Sequence, residues 1–203
     1  MADLTLYTNP MSRGRMARWM LEEMGLPYRA VILDYGTTMK APDYLAINPM
    51  GKVPALRHGE TIVTECAAVI SYLAFTFPEC GLLPDDRGHF LRWMFFGAGP
   101  VDMAATLKGL GYEPPAERRG LVGFGHMDDV VAALLGLVAA GPWLAGERFS
   151  ALDVYLGSQI GWGVRFGTLP AEPAFTEYAE RIFARPAARR AREIDDALVP
   201  RKD

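Results

Sequence analysis

Asn48-Pro49-Met50-Gly51-Lys52-Val53-Pro54-Ala55-Leu56, followed after a short turn by Thr64-Glu65-Cys66-Ala67, is the stretch on which the reading of this chain turns. A proline disfavours the α region for the residue before it, so Val53 is extended and its N–H and C=O point sideways as an edge open to another chain. A cis Val53–Pro54 bond, which only proline permits at small cost, would turn the chain sharply at that edge. In the second half Ile62-Val63 reads as a short strand. The apolar series Cys66, Val69, Ile70, Leu73, Phe77 then recurs with a period near 3.6 and predicts a helix from about residue 65. The free N–H groups at the start of such a helix suit a carboxylate. Each half alone is ordinary, a turn and a capped helix start. Together they read as a dock for a small extended peptide bearing carboxylates.

Outward from this stretch, the first eighty residues alternate strand-like and helix-like segments, as an α/β unit does. Leu4 to Tyr7 is a strand; Met16, Trp19, Met20 and Met24 share one helical face, with Gly25 placed to stop the helix; Tyr28 to Leu33 is a second strand. A loop rich in Gly, Thr and Pro carries Lys40. Val53 to Arg57 and Thr61 to Val63 form a hairpin, and the helix from residue 65 closes the unit near Phe77-Pro78.

Beyond Cys80-Gly81-Leu82-Leu83-Pro84-Asp85-Asp86 the pattern is helical only. The boundaries expected are therefore 1–79 for the first domain, 80–88 for the linker and 89–203 for an all-helical domain. One helix runs from about Arg87, is disturbed at Gly97 to Pro100 and resumes through Leu107; another covers Glu117 to Val138. Ser150-Ala-Leu-Asp153 is a capping signal that opens an almost wholly apolar helix with Leu152, Leu156 and Ile160. A last helix spans Ala174 to Arg185. After it, Arg189, Arg190 and Arg192 read as a solvated face balanced by Glu193, Asp195 and Asp196.

Composition narrows the function classes. Of 203 residues 50% are hydrophobic, enough for a substantial core. A net charge of -3 offers no basic field, so nucleic acid is not an expected partner. The two cysteines, Cys66 and Cys80, form neither a disulfide framework nor a C-x-x-C pair, and a reduced, cytoplasmic setting fits. The N-terminus has no signal-like apolar stretch, and the uncharged run from Val130 to Gly146 is too short to span a bilayer and is interrupted at Gly141-Pro142, so no membrane association is expected. His58, His89 and His126 show no ligand spacing, and no metal is assigned.

An α/β unit carrying Asn48-Pro-x-Gly-Lys-Val-Pro-Ala-Leu and a Glu65-Cys66 helix start, joined to a helical unit with the Ser150-x-x-Asp153 box, resembles the soluble glutathione transferases over essentially the whole chain, and most closely bacterial theta-like members that use a serine. The resemblance implies a thioredoxin-like N-terminal domain followed by a helical-bundle domain, two-fold dimers, and glutathione as co-substrate. It implies that Val53, set by Pro54, pairs through its backbone with the cysteinyl part of glutathione. Glu65, Cys66 and the helix behind them would hold the γ-glutamyl end, with Lys40 and Lys52 near the glycine carboxylate. Cys66 departs from the family pattern, which has Ser or Thr there; a thiol is a weak donor, so carboxylate binding would lean on the backbone N–H and the helix dipole.

Glutathione must react as the thiolate, and a thiol of pKa about 8.5 to 9 is only ~1 to 3% ionised at pH 7. Ser12, at the start of the first helix and five residues after Tyr7, is where serine-type members keep the activating hydroxyl; by itself it would read as that helix's N-cap. Tyr7 is the competing activator, and Ser12 is preferred. The resemblance further implies that the helical domain carries the pocket for an apolar electrophile, with Trp93, Phe95, Phe96 and Met103 as candidate lining. The expected reaction is conjugation to an electrophilic small molecule, as in detoxification. The alternatives are a glutathione-dependent peroxidase or isomerase on the same fold, or a non-catalytic glutathione-fold binding or scaffold module. The absence of cysteine at Met11-Ser12-Arg13 argues against a thioredoxin-type disulfide reductase.

Overall fold

The computed structural model describes residues 3–199. Its described residues group into two compact units, one formed by the chain up to Cys80 together with the chain from Ala184 on, the other by Gly81–Phe183.

In the first unit β1 (Leu4–Thr8), α1 (Gly14–Met24) and β2 (Arg29–Ile32) form a β-α-β crossover, and β3 (Ala55–His58) and β4 (Thr61–Thr64) form the hairpin. The sheet order is β2-β1-β3-β4. β1 pairs with β2 in parallel, Tyr7 opposite Val31, and with β3 in antiparallel, Tyr7 opposite Ala55. This is the thioredoxin-like arrangement expected. Strand alternation places Leu4 and Leu6 on one face and Thr5 and Tyr7 on the other. α1 and α3 (Cys66–Thr76) pack against each other, and their buried residues Met16, Met20, Leu21, Val69, Ile70 and Leu73 join Leu6 and Leu56 in the core. Tyr7 belongs to a second cluster with Leu33, Met39, Tyr44 and Ala55. Gly25, at φ +64, ends α1 in the left-handed conformation that glycine adopts without steric cost.

The stretch 38–45, read from sequence only as loop, holds a 3-10 turn and a short helix α2 (Pro42–Leu45), opened by proline at a position where its missing N–H costs nothing. A larger difference lies at the end of the chain. The Arg-rich segment is a helix, α9 (Pro186–Ala197), packed on α1, and Asp195 is fully buried rather than part of a solvated face. The buried stripe of α9 is Ala187, Ala188, Ala191 and Asp195, too weakly apolar to register as a periodic signal.

The second unit holds α4 (Arg87–Phe96), a π-turn segment over Gly97–Val101, α5 (Asp102–Gly109), α6 (Met127–Ala139), α7 (Ser158–Phe166) and α8 (Pro173–Phe183). Pro100 cannot donate to an α-helical ladder, and the segment containing it widens to π geometry. The expected start of α6 at Glu117 moves to Met127. Residues 116–121 are 3-10, Gly125 takes φ +67, and His126 caps α6 by accepting from the Asp128 N–H while Asp129 accepts from the His126 N–H. The Ser150-x-x-Asp153 signal is realised on the Asp153 side: buried Asp153 accepts from the Ser150 N–H (2.9 Å) and hydroxyl (3.0 Å), the Leu144 N–H (2.8 Å) and the Tyr178 hydroxyl (2.8 Å), while the Ser150 hydroxyl accepts from the Leu152 N–H (3.3 Å) and not from that of Asp153. Burial still pushes the Asp153 carboxyl up, those four donors opposing it. No helix among the described residues is long and apolar enough to cross a membrane.

Candidate active site

The loop before β3 is built around one carbonyl. Lys52 C=O accepts from the Tyr44 hydroxyl at 2.6 Å and from the Asn48 side-chain amide at 2.8 Å, while Asn48 Oδ1 accepts from the Met50 N–H at 3.1 Å. Tyr44 and Asn48 are both buried. Burial pushes the Tyr44 phenol up to about 12, the Asn48 hydrogen bond partly opposing it, so the hydroxyl stays a donor. Gly51 sits at φ +56, where a Cβ would stand 2.6 Å from the Met39 carbonyl and 2.8 Å from Lys40 Nζ; only glycine fits.

The Lys52–Val53 peptide is trans, so with its C=O held inward by Tyr44 and Asn48 its N–H points the opposite way. Val53 is half-buried, and among the described residues neither its N–H nor its C=O enters a backbone hydrogen bond. The Val53–Pro54 bond is cis. Sequence reasoning singled out Val53 but missed the clamp that aims it. The signal available was Asn48 before a proline, since Asn side chains bond the backbone two residues on; nothing in sequence pointed to Tyr44. The two lysines lie on this loop differently. Lys40 Nζ donates to Met50 C=O at 2.8 Å, whereas Lys52 extends its side chain into solvent.

At the start of α3, Glu65 has φ 66 and ψ 124, the one non-glycine residue with positive φ among those described, a conformation costing of order 1–3 kcal/mol. Its side chain is exposed, and its carbonyl accepts from the Val69 N–H at 2.8 Å. Cys66 follows, 7% exposed, with Sγ 3.5 Å from the Arg13 carbonyl and 3.8 Å from Met16 Sδ. Cys66 thus brings the starts of α3 and α1 together.

The start of α1 is organised by Asn9, whose amide donates to Leu33 C=O at 2.7 Å and whose Oδ1 accepts from the Met11 N–H at 2.8 Å. Half-buried Ser12 donates its hydroxyl to Asn9 C=O at 2.7 Å and accepts from the Gly14 N–H at 2.9 Å. Arg13, not Ser12, is the N-cap residue of α1, but the Ser12 hydroxyl already serves the first N–H of the helix and would act on a ligand by redirecting one proton. Tyr7 is placed otherwise: 8% exposed, in the cluster with Leu33, Met39 and Ala55, its ring 5.6 Å from that of Tyr44. In the helical unit, Trp93 is buried against Phe96 (ring centroids 5.2 Å apart), whereas Phe95 and Met103 are exposed.

A thioredoxin-like sheet with an unpaired edge before a cis-proline, followed by a helical unit, defines a class, and comparison with known proteins gives its name. The family model for the glutathione S-transferase N-terminal domain matches residues 11–75. The maleylacetoacetate isomerase of Pseudomonas aeruginosa is 31% identical, the match covering 87% of this chain and 89% of that protein. A glutathione S-transferase of Xanthomonas campestris pv. campestris is 29% identical over 89% and 93% of the two chains. A sphingomonad glutathione S-transferase, solved in complex with glutathione, superposes with a TM-score of 0.75 at 29% identity, covering 95% of this chain and 98% of that one. The glutathione S-transferase GstB of Escherichia coli K12 is 30% identical over 84% of this chain and 88% of that protein, and this chain belongs to the glutathione S-transferase family.

Proposed function

We propose that this protein binds glutathione along Val53, ionises its thiol with Ser12, and conjugates the thiolate to an apolar electrophile. The observation that carries the reading is the unpaired backbone of Val53, aimed outward by the bonds that Tyr44 and Asn48 make to Lys52 C=O. An extended peptide pairs with such an edge through its own backbone. The N-terminus of α3 behind Glu65 and Cys66 takes the γ-glutamyl carboxylate, and Lys40 and Lys52 supply positive charge for the glycine carboxylate. The sphingomonad relative, complexed with glutathione, supports the choice of ligand.

Lowering the thiol pKa by about two units requires ~2.7 kcal/mol of preferential stabilisation of the thiolate. One charge-assisted hydroxyl bond together with the positive end of a helix supplies energies of this order. Ser12, beside the N-terminus of α1, offers both; Tyr7 is packed into a buried cluster with Tyr44, against which Val53 also packs, and is the competing hydroxyl. The thiol proton leaves to solvent, the thiolate forms a C–S bond to the electrophilic carbon, and that carbon expels its leaving group or accepts a proton at the adjacent atom.

A second reading follows from the Pseudomonas relative, whose name is an isomerase. There the same thiolate adds to a conjugated cis double bond, rotation follows, and elimination regenerates glutathione. Both readings take a two-fold dimer, which the family implies and sedimentation tests. The deciding experiment is retention on immobilised glutathione with turnover assays on an aromatic halide and a cis-dienone. Turnover of the halide supports conjugation, and isomerisation without consumption of glutathione supports the second reading. Neither retention nor turnover of any such substrate or a hydroperoxide leaves a non-catalytic module. Ser12→Ala should lower kcat about 10²-fold and Tyr7→Phe by less than threefold; equal, unchanged rates would refute the role given to Ser12.

A further inference from the structure

The charges on α1 and α9 run against the helix-dipole rule, which places acids at the start of a helix and bases at its end. α1 is entered through Arg13, Arg15 and Arg18 and closes on Glu22 and Glu23; α9 is entered through Arg185, Arg189 and Arg190 and closes on Asp195 and Asp196. Pairing explains both inversions. Arg15 meets Asp196 (2.7 Å), Arg18 meets Asp195 (2.9 Å), Glu22 meets Arg190 (3.4 Å), and Glu23 meets Arg185 through two bonds (2.7 and 2.8 Å). Rising numbers on one helix meet falling numbers on the other, so the helices are antiparallel and each inverted charge finds its opposite.

One of these pairs continues into the candidate site. Arg15 holds Asp196 through Nη2 while its Nε donates to the Pro10 carbonyl. Pro10 lies in the five-residue loop 9–13, between Asn9, whose carbonyl receives the Ser12 hydroxyl, and Ser12 itself. A guanidinium presents donors in a fixed planar fork, so anchoring one arm sets the direction of the other. The path from α9 to the Ser12 loop thus runs through the Asp196 carboxylate, the Arg15 guanidinium and the Pro10 carbonyl.

We infer that Arg15, oriented by Asp196, is a positioning residue that fixes the Ser12 loop, so that the C-terminal helix sets the power of the site to ionise its thiol. The inference rests on Ser12 being the activating hydroxyl. Arg15→Lys keeps the positive charge but loses the fork. The bound thiolate, followed by its ultraviolet absorbance against pH, should titrate about one unit higher, with kcat/KM at pH 7 down about three- to sixfold and the KM for glutathione within about twofold. Asp196→Asn gives a sharper sign. By field alone, removing a negative charge near the site lowers the thiolate pKa, whereas loss of positioning raises it; a rise is expected, with restoration in Asp196→Glu. Melting temperatures recorded alongside separate positioning from unfolding, since Asp196 is exposed and its pair contributes little stability. The double variant S12A/R15K should lose no more than S12A does alone. An unchanged thiolate pKa in Arg15→Lys, a fall in Asp196→Asn, or an equal loss from Arg15→Lys when Ser12 is already alanine each overturns the inference while leaving the Ser12 assignment standing. An unchanged thiolate pKa in Ser12→Ala overturns that assignment itself, and the inference with it.

Discussion

Tyr44→Phe isolates the clamp behind Val53, because it deletes one oxygen and leaves the ring packed beside Tyr7. Its bond to Lys52 C=O is 2.6 Å, and the carbonyl keeps a second donor in Asn48 at 2.8 Å, so no acceptor is orphaned and the cost near neutral pH is that of one hydrogen bond, about 1 kcal/mol. At high pH the sign changes. The Tyr44 phenol titrates at 10.0 when unfolded and is pushed up to about 12 when folded, so between those values the unfolded chain has released a proton that the native state retains. Wild-type stability then falls by about 1.4 kcal/mol per pH unit from this group, ~2.7 kcal/mol over the window, a loss the phenylalanine variant does not suffer. The wild type is therefore expected to be more stable below pH 10, and the two stabilities should cross between pH 10 and 12. Urea unfolding at closely spaced pH values measures this directly, with Tyr28, also pushed up to about 12, contributing equally to both proteins. The variant should also show a several-fold higher KM for glutathione with kcat little changed, because the Val53 peptide plane is less firmly held. Parallel alkaline curves with a constant offset would refute the buried-donor argument.

Two further perturbations test the frame around the site. Gly14→Ala would place a Cβ 2.0 Å from Thr8 Oγ1 and 2.9 Å from Ser12 Oγ, so it should destabilise by about 1–3 kcal/mol through overpacking and lower thiolate formation, read by thermal unfolding and by the ultraviolet titration; a variant equal to wild type in both would contradict the close approach. Arg18 and Asp195, 2% and 0% exposed, form a buried pair at 2.9 Å, so Arg18→Met and Asp195→Leu should each cost about 3–5 kcal/mol by stranding a charge, while the double variant costs less than either, as denaturant unfolding would measure.

What could be read from the sequence follows from where each signal resides. β1, α1, the hairpin and α3 announce themselves through local periodicity and through Gly25, and the sheet assembled from them is the one expected. Val53, Glu65 and Ser12 are likewise visible, because a proline, a helix start and a short loop act on their immediate neighbours. What was not legible depends on contacts distant in sequence or on residues of ambiguous propensity. Asp195 carries no local mark of burial; its partner Arg18 lies 177 positions away. Tyr44 is one aromatic residue in a four-residue helix, and its hydroxyl acquires a role only when the chain returns eight residues later. α6 starts later than expected because Gly120, Gly123 and Gly125 interrupt the run of helix formers from Glu117, at a combined cost of about 3 kcal/mol against alanine.

The charge order along α1 shows how such a conflict can itself be informative. Three arginines at or near a helix start oppose the helix dipole at a few tenths of a kcal/mol each, and an isolated α1 would be weaker for them. They also lie at the end of the helix where the thiolate is proposed to form, and with Arg15 and Arg18 neutralised by their partners it is the N-terminal end of the α1 dipole that favours an anion there. The acidic end of α9 offsets the local cost by pairing Arg15 and Arg18, leaving the dipole of α1 directed at the Ser12 loop. The inverted pattern is thus coherent only when the last helix and the first are considered as one unit, which is how the chain from Ala184 on groups with the chain before Cys80.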